Sequence, residues 1–307
     1  MRRNCLFLII TFLLLYCGHK AGPISKDRLK PKLLKVTVFN RTQFQCTFSE
    51  PVDTLQINAD AFVISAAAET LKILIAYPSL SAAEIMFATE PIQAIEYQIS
   101  GYVFDTAMNK GNFIKKFKGT NLPDTIKPSV HKYPRGKGFT AIDLIFSEAI
   151  DTTRSGFYIL PKLEHGVTWL DLRRCSLDPL MDGQWMLDSV SYYLYSSDRV
   201  FDLNHNPLKN FLTIFTPDTA YQPFFLEGKA TLNDTLLNEG IAVLFRDEAI
   251  GIAIISQGIF KFEVRDSLPF QVTVLADQYS GSGEVVIGGE NNIELTAKKI
   301  DLDDIIH

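Results

Sequence analysis

The 307-residue chain carries 30 lysines and arginines against 35 aspartates and glutamates, so its formal net charge at pH 7 is −5. That mild acidity argues against nucleic acid as the partner, because phosphate binding requires a basic surface that releases counterions. A hydrophobic content of 47% with 21% charged residues excludes a largely disordered chain. The 22 phenylalanines and 11 tyrosines favour a β-rich protein, and four cysteines are too few for a disulfide scaffold.

The N-terminus has the pattern of an export signal. Arg2 and Arg3 precede an uncharged run from Cys5 to Tyr16. A run of this length matches the apolar part of a signal peptide and is too short to cross about 30 Å of hydrocarbon as a helix. We predict a signal peptide over residues 1–16 and a tether over residues 17–32.

The end of this apolar run resembles the lipobox of bacterial lipoproteins. The residues that carry the resemblance are Leu14–Cys17, with the cysteine directly after the apolar segment. The resemblance implies cleavage before Cys17 and a lipid on its thiol. It implies an exported protein anchored in the bacterial cell envelope, at the outer membrane on either the periplasmic or the surface side. The alternative is an ordinary secretory signal cut between Tyr16 and Gly22.

The predicted tether is basic. Cleavage before Cys17 would remove Arg2 and Arg3 and change the formal side-chain charge from −5 to −7. The segment from Lys20 to Lys35 would then carry a local positive charge and two prolines at the start of the mature chain. Anionic headgroups attract such segments, so the membrane is the predicted partner of this region.

An internal repeat predicts the architecture. The motif Phe48–Asp53 recurs as Phe146–Asp151, 98 residues later, and Val103–Asp105 recurs as Val200–Asp202, 97 residues later. Markers in the same order at nearly constant offset indicate two copies of one module of about 95 residues. A short Pro-Asp-Thr linker follows each copy, which predicts modules that share little surface.

Alternation within each copy predicts half-buried strands. Phe44, Cys46 and Phe48 alternate with polar residues, and Ile142 to Phe146 repeats the pattern in the second copy. Further strands are predicted at residues 71–77, 84–88, 97–104, 167–172, 184–188 and 192–201. Short strands at this spacing are typical of a β-sandwich with about seven strands per 100 residues.

The repeated segment resembles a bacterial Ig-like module found in S-layer and other surface proteins. The resemblance covers residues 33–217 and rests on the Phe-Ser-Glu-Pro-Val turn and the Asp-x-x-x-Asn turn that closes each unit. It implies a spacer or interaction module and transfers no catalytic residues. Residues 224–299 resemble the transthyretin-like, or carboxypeptidase regulatory-like, domain through Glu239–Val243 and Gly258–Phe262.

The predicted fold is therefore all-β, with tandem Ig-like β-sandwiches followed by a transthyretin-like (prealbumin-type) β-sandwich. The predicted boundaries are residues 33–120 and 124–217 for the Ig-like modules, 222–299 for the third domain and 300–307 for an acidic tail.

Several acidic groups resemble chemical sites. Glu50 with Asp53, and Glu148 with Asp151, could be read as catalytic carboxylates, but a catalytic dyad is rarely duplicated at equivalent positions of a repeat. We therefore predict that they shape turns. The run of Asp202, Asn204 and Asn206 resembles half of a calcium loop but lacks the glycine and the bidentate glutamate, which favours a structural Asx turn and no metal.

The remaining candidates favour structural roles as well. Cys46 and Cys175 lie in different modules and are predicted to be buried thiols. Tyr192, Tyr193 and Tyr195 could form a sugar-stacking platform, but alternation along a strand points neighbouring rings to opposite faces, which favours a mixture of core and surface rings. The histidines lack zinc-ligand spacing, and the chain has neither a nucleophile elbow nor a phosphate-binding loop.

These patterns predict a protein that is not an enzyme and has no cofactor. The expected function is that of a cell-envelope lipoprotein acting as a surface or periplasmic spacer or interaction module. Its expected partners are the membrane, through Cys17, and a protein or glycan of the envelope, with no nucleic acid. A glycan-binding accessory protein and a non-catalytic partner of an envelope hydrolase are the alternatives. The binding residues are not identified by the sequence.

Overall fold

The computed structural model describes residues 27–306 except 68, 80, 155, 181–185, 197–198 and 299. The predicted signal peptide, Cys17 and most of the tether therefore lie outside the described residues. The chain divides into two compact units, Met1–Leu122 (unit 1) and Pro123–His307 (unit 2). The regular secondary structure of both is almost entirely β-strand, as predicted. In the described part of the chain, no helix has the length and apolar character needed to span a membrane.

Unit 1 contains two four-stranded sheets, with the orders β1-β2-β6-β5 and β4-β3-β7-β8. Its strands are β1 (Leu33–Asn40), β2 (Gln43–Phe48), β3 (Phe62–Ala66), β4 (Glu69–Leu71), β5 (Ile73–Pro78), β6 (Glu84–Thr89), β7 (Glu96–Phe104) and β8 (Lys110–Lys118). Alternate residues of β2 are fully or nearly fully buried, as the period of two in the sequence predicts.

Aromatic side chains from both sheets form the core of unit 1. Phe44 of β2 stacks on Phe87 of β6 with ring centroids 4.8 Å apart, and Phe62 of β3 meets the same Phe87 edge-on at 4.9 Å. Phe117 of β8 stacks on Phe44 at 5.2 Å. Residues of the two sheets therefore interdigitate, which is the packing of a β-sandwich.

The first part of unit 2 repeats this arrangement. Its strands are β9 (Val130–Lys132), β10 (Gly136–Lys137), β11 (Ile142–Phe146), β12 (Phe157–Leu160), β13 (His165–Asp171), β14 (Arg174–Pro179), β15 (Tyr192–Ser196) and β16 (Phe211–Thr216). The sheet order β9-β11-β14-β13 matches β1-β2-β6-β5 of unit 1, and β12-β15-β16 matches β3-β7-β8. The sequence repeat is therefore a repeat of topology.

The predicted strands differ from the observed ones in several places, and the strand predicted over residues 192–201 is observed only as Tyr192–Ser196. The predicted strand 71–77 is two strands in different sheets, because Leu71 pairs with Ile64 whereas Ile73 pairs with Thr89. Of the strand predicted over residues 184–188, residues 184–185 lie outside the described residues, and residues 186–188 include a bend and a turn but no strand. The strand β12, which the pattern did not predict, is buried on both faces and therefore shows no alternation.

The rest of unit 2 is one continuous sheet with the order β18-β17-β21-β20-β19-β22-β23-β25, and β24 pairs with β17. Its elements are β17 (Phe224–Leu232), β18 (Thr235–Leu236), β19 (Glu239–Phe245), β20 (Ala249–Ser256), β21 (Ile259–Val264), β22 (Phe270–Ala276), β23 (Tyr279–Val285), β24 (Asn292–Glu294), β25 (Ala297–Lys298) and the helix α1 (Leu302–Ile306). The segment from β24 to β25 thus links opposite ends of the sheet. The resemblance of this part of the chain to a transthyretin-like domain stays a prediction.

The second module has a hydrophobic core of its own, but the other side of its strands β12 and β15 packs on the core of the third module. The short linker between the two modules had predicted little shared surface. Tyr193 of β15 packs edge-on against Phe262 of β21, with centroids 6.3 Å apart. Its hydroxyl donates to the carbonyl of Glu263 at 2.7 Å and accepts from the amide of the same residue at 2.6 Å. The acidic tail is also attached, because Leu302 and the buried Ile306 of α1 pack on this core.

Candidate functional site

The Ser-Glu motif of each of the two repeated modules holds the chain that enters it. In unit 1 the hydroxyl of Ser49 accepts from the amide of Lys32 at 3.0 Å, while the amide of Ser49 donates to the Lys32 carbonyl at 2.9 Å. In unit 2 Ser147 makes the same two bonds with Ser129, at 3.0 and 2.8 Å. Each serine therefore fixes the chain that enters its module to the end of a strand, β2 in unit 1 and β11 in unit 2.

The Asp-x-x-x-Asn turns are built identically. In unit 2 the Oδ1 atom of Asp202 accepts from the amides of Asn204 and Asn206, both at 2.8 Å, and its Oδ2 accepts from the Asn206 side chain at 2.7 Å. In unit 1 Asp105 accepts in the same way from Ala107 and Asn109, at 2.7–2.8 Å. These bonds confirm that the aspartate of each turn shapes an Asx turn.

The same asparagines reach back to the entering chain. The side-chain amide of Asn109 donates to the Asp27 carbonyl at 3.2 Å, and that of Asn206 donates to the Asp124 carbonyl at 3.4 Å. We call the serine, the Asx turn and the entering chain of each module its linker clamp. The members are residues 27–32, Ser49, Glu50 and 105–109 in unit 1, and residues 124–129, Ser147, Glu148 and 202–206 in unit 2.

Each linker clamp brings three carboxyl groups together. One oxygen each of Asp27, Glu50 and Asp105 lie within 4.8 Å of one another, and the same holds for the buried trio Asp124, Glu148 and Asp202. Carboxylate oxygens are the ligands that hard cations such as calcium prefer. The Asx turn nevertheless already occupies both oxygens of Asp202 with three hydrogen bonds. The expectation of no metal therefore stays a prediction.

Like charges and hydrogen bonds shift the pKa values in the clamp of unit 1 in opposite directions. Burial raises the pKa of Glu50, and the nearby carboxylates of Asp27 and Asp105 raise it further. Burial also acts to raise the pKa of Asp105, but the hydrogen bonds from Asn109 and Ala107 outweigh it and leave that pKa below its ordinary value. Asp105 therefore stays ionised at a pH at which Glu50 begins to take up a proton.

The two aspartates that follow the Ser-Glu motifs have the structural role predicted for them. Asp53 accepts from the amide of Leu55 at 3.1 Å and caps a short 3-10 turn. Asp151 accepts from the amide of Thr153 at 3.0 Å and from its hydroxyl at 2.6 Å. The side-chain bond from Thr153 is the main cause of the lowered pKa of Asp151.

The predicted thiols and the tyrosine cluster lie in the cores. Cys46 and Cys175 are free and buried. Burial raises the pKa of both thiols, that of Cys175 to about 12, so neither is a nucleophile at neutral pH. Tyr192, Tyr193 and Tyr195 are at most 4% exposed, which rules out a sugar-stacking platform on their ring faces.

An open cleft of about 1150 Å³ lies within unit 2, between the second module and one end of the third. Asp303 of α1 bonds to the hydroxyl of Tyr158 and pairs with Arg199 at its edge. The rings of Tyr158 and Tyr195 stack on each other, with centroids 6.3 Å apart, and both residues are buried. The cleft therefore offers no free aromatic face to a sugar.

The sequence reasoning missed part of the linker clamp. It assigned no role to Asp27, Ser49 or Ser147, and it treated Asp124 only as part of a linker. A signal was present, because Asp27 and Asp124 are separated by 97 residues, the offset of the other repeat markers. Cys17, the predicted lipidation site, lies outside the described residues.

No protein-family model and no curated protein matches the chain. Its fold is similar to solved structures of bacterial surface proteins at low identity. The N-terminal part of the bacterial S-layer protein SbsC is 15% identical over 61% of this chain and 44% of that chain, with a TM-score of 0.29. Domains 1–6 of the surface layer protein SbsC are 10% identical over 91% of this chain and 58% of that one, with a TM-score of 0.29.

A third structure is SGBP-B of a Bacteroides ovatus mixed-linkage glucan utilization locus, solved with a mixed-linkage heptasaccharide. It is 10% identical over 86% of this chain and 76% of that chain, with a TM-score of 0.26. The chain thus spans between 44% and 58% of the two S-layer structures. At these TM-scores the likenesses indicate neither a shared ligand nor a shared activity.

Proposed function

We propose that this chain is a non-enzymatic lipoprotein of the bacterial cell envelope. A lipid on Cys17 anchors it, and its β-modules act as a spacer that presents an interaction surface. The observation that carries the proposal is the duplicated linker clamp. Equivalent serine, aspartate and asparagine side chains recur in both modules. The aspartates shape the turns, and the serines and asparagines bond to the entering chain.

The linker clamp fixes each module to the linker that enters it, and such an attachment is suited to connecting modules mechanically. Residues 121–122 bond to unit 1, through the Asn121 side chain to the amide of Ala94 and through the Leu122 carbonyl to the amide of Arg41. From Asp124 onward the linker belongs to the clamp of unit 2. Repeated modules with held linkers are typical of proteins that span a distance rather than of enzymes.

The anchor is tested on Cys17. Cells that express the wild-type chain are fed a fatty-acid analogue, and the labelled protein is followed through membrane fractionation. We expect the wild type to be labelled and membrane-bound, and Cys17→Ala to be exported but unlabelled and released from the membrane. Cys46→Ala is the matched control and should keep its label, because it retains Cys17 and the thiol that it removes is buried. Equal labelling of wild type and Cys17→Ala would exclude the lipid anchor.

The interaction role is tested by cross-linking in intact envelopes, followed by purification of the chain. We expect structural envelope components among the partners. Recovery of a hydrolase whose activity depends on this chain would favour the accessory role for such an enzyme. Retention on envelope polysaccharide, with no protein partner, would favour a glycan-binding role.

A further inference from the structure

The outward face of the second sheet of unit 1 combines basic, aromatic and aliphatic side chains. The strand β8 contains four lysines and no acidic residue. Because side chains alternate across a strand, Lys110, Ile114, Lys116 and Lys118 project from the same face, and all four are exposed. We call these four residues, together with Tyr102 and Val63, the basic face.

Apolar groups form the middle of the basic face. Ile114 is 71% exposed and Val63 is 49% exposed, and both lie opposite Ser100 of β7 in the strand register. Tyr102 of β7 is 38% exposed, and the ammonium group of Lys110 sits 3.6 Å from its ring centroid. An aliphatic centre with a tyrosine and flexible lysines around it is the composition that suits the interface of a bilayer.

The charge of the basic face remains positive after its acidic neighbour is counted. Glu96 of β7 forms an ion pair with Lys116 at 2.8 Å, and both side chains are 67% exposed. Lys118 lies opposite the same glutamate in the register. With Lys116 paired to Glu96, the positive charges of Lys110 and Lys118 remain. The ammonium group of Lys110 lies over an aromatic ring rather than beside a carboxylate.

The chain that leads towards the predicted anchor runs along β8. The side chain of Asn109, next to the start of β8, bonds to the Asp27 carbonyl. The Pro31 carbonyl lies where a side chain at Gly111 would be, 2.0 Å from the position of a Cβ atom. The exposed residues of this segment include Arg28, Leu29 and Lys30. Because Gly111 alternates with Lys110 along the strand, this entering chain packs on the side of β8 opposite the basic face. It runs beside the edge strand of the sheet that carries the basic face.

We propose that the basic face docks on the anionic phospholipid headgroups of the membrane in which the chain is anchored. Lys110, Lys116 and Lys118 contact phosphate groups, while Ile114 and Tyr102 enter the headgroup layer. The proposal rests on the proposed anchor, which would bring unit 1 close to a bilayer. The occupant follows from charge complementarity, since the chain as a whole is acidic and would otherwise be repelled by an anionic surface.

The test uses the chain from residue 17 to 307 with Cys17→Ala, so that no lipid contributes. Sedimentation is measured with vesicles of phosphatidylcholine alone and of phosphatidylcholine mixed with phosphatidylglycerol. We expect binding to the mixed vesicles only, and its loss at high salt. The affinity of the triple variant Lys110→Gln/Lys116→Gln/Lys118→Gln for these vesicles should fall by at least roughly tenfold. Ile114→Asn should weaken binding without changing its salt dependence.

The matched control is Lys132→Gln/Lys209→Gln/Lys229→Gln, which removes three exposed positive charges elsewhere. It should bind as the parent chain does. Equal loss in both triple variants, or no binding of the parent chain to the mixed vesicles, would overturn the proposal. Binding to an anionic polysaccharide in place of vesicles would also overturn it. The vesicle experiment uses a chain without the lipid, so its outcome does not depend on the anchor. A failed anchor would show as equal labelling of wild type and Cys17→Ala, whereas a failed basic face would show in vesicle sedimentation.

Discussion

The carboxyl group of Glu50 lies beside those of Asp27 and Asp105 in the linker clamp of unit 1. Burial and these two neighbours raise its pKa above the ordinary value of 4.5. The folded state therefore binds the proton more tightly than the unfolded state, and the stability contributed by this group falls as the pH rises through the raised pKa. Above that range the ionised Glu50 lowers the free energy of unfolding.

Glu50→Gln removes this penalty. At pH 7 and low salt, with a chelator present, we expect the variant to melt at a higher temperature than the wild type in circular dichroism. The difference should disappear below pH 4, where the wild-type glutamate is protonated in both states. Glu69→Gln, at an exposed position of the same unit, is the control and should change little. A lower melting temperature for Glu50→Gln at pH 7 would contradict the repulsion.

The Asx turn of unit 2 depends on a single carboxylate. Asp202 is 1% exposed and accepts three hydrogen bonds. We expect Asp202→Ala to lower the free energy of unfolding of unit 2 by about 2–3 kcal/mol, because it leaves the partly buried amides of Asn204 and Asn206 without their acceptor. Urea unfolding followed by tryptophan fluorescence measures this, since both tryptophans, Trp169 and Trp185, belong to unit 2.

A control variant and a calcium titration accompany the measurement on Asp202→Ala. Asp247→Ala, at an exposed loop position, should leave the urea midpoint unchanged. Calcium should not change the midpoint of the wild type, because the turn already uses the oxygens of Asp202. Binding at about 100-fold above the dissociation constant would add ~2.7 kcal/mol. A calcium-dependent rise of that size in the free energy of unfolding would show that the clamp binds a metal ion. The interpretation of Asp202 as part of a purely structural Asx turn would then be wrong.

At the scale of the whole molecule, the two units should unfold separately. Phe48 and Phe146 occupy equivalent buried positions in units 1 and 2. We expect Phe48→Ala to cost unit 1 about 3–5 kcal/mol and to leave the tryptophan transition of unit 2 unchanged. Limited proteolysis of this variant should yield a resistant fragment that begins near Asp124.

Phe146→Ala should give the reverse result and spare unit 1. Because Tyr193 ties the second module to the third, both should become sensitive to protease together. A shift of the tryptophan transition by Phe48→Ala as large as that by Phe146→Ala would indicate a single cooperative unit.

Much of the fold could be predicted from local patterns. Alternation over Phe44 to Phe48 identifies β2 because a sheet with one buried face requires a period of two. The same rule fails for β12, whose two faces are both covered. It also fails at residues 71–77, where the chain passes from one sheet to the other across a single residue, Lys72. Of the linker clamp, the sequence indicated the Asx turns but not their contact with Asp27 and Asp124.

The sequence by itself determined the all-β class, the duplicated module and the turns that close it. These properties depend on short-range periodicity and on a repeat offset, both of which can be read along the chain. Only the tertiary structure decided that Ser49 and Ser147 hold the entering linkers, that Tyr193 of the second module packs on the core of the third, and that lysines and Ile114 share one face. Such contacts join residues distant in the chain, and which side chains meet is set by strand pairing and register.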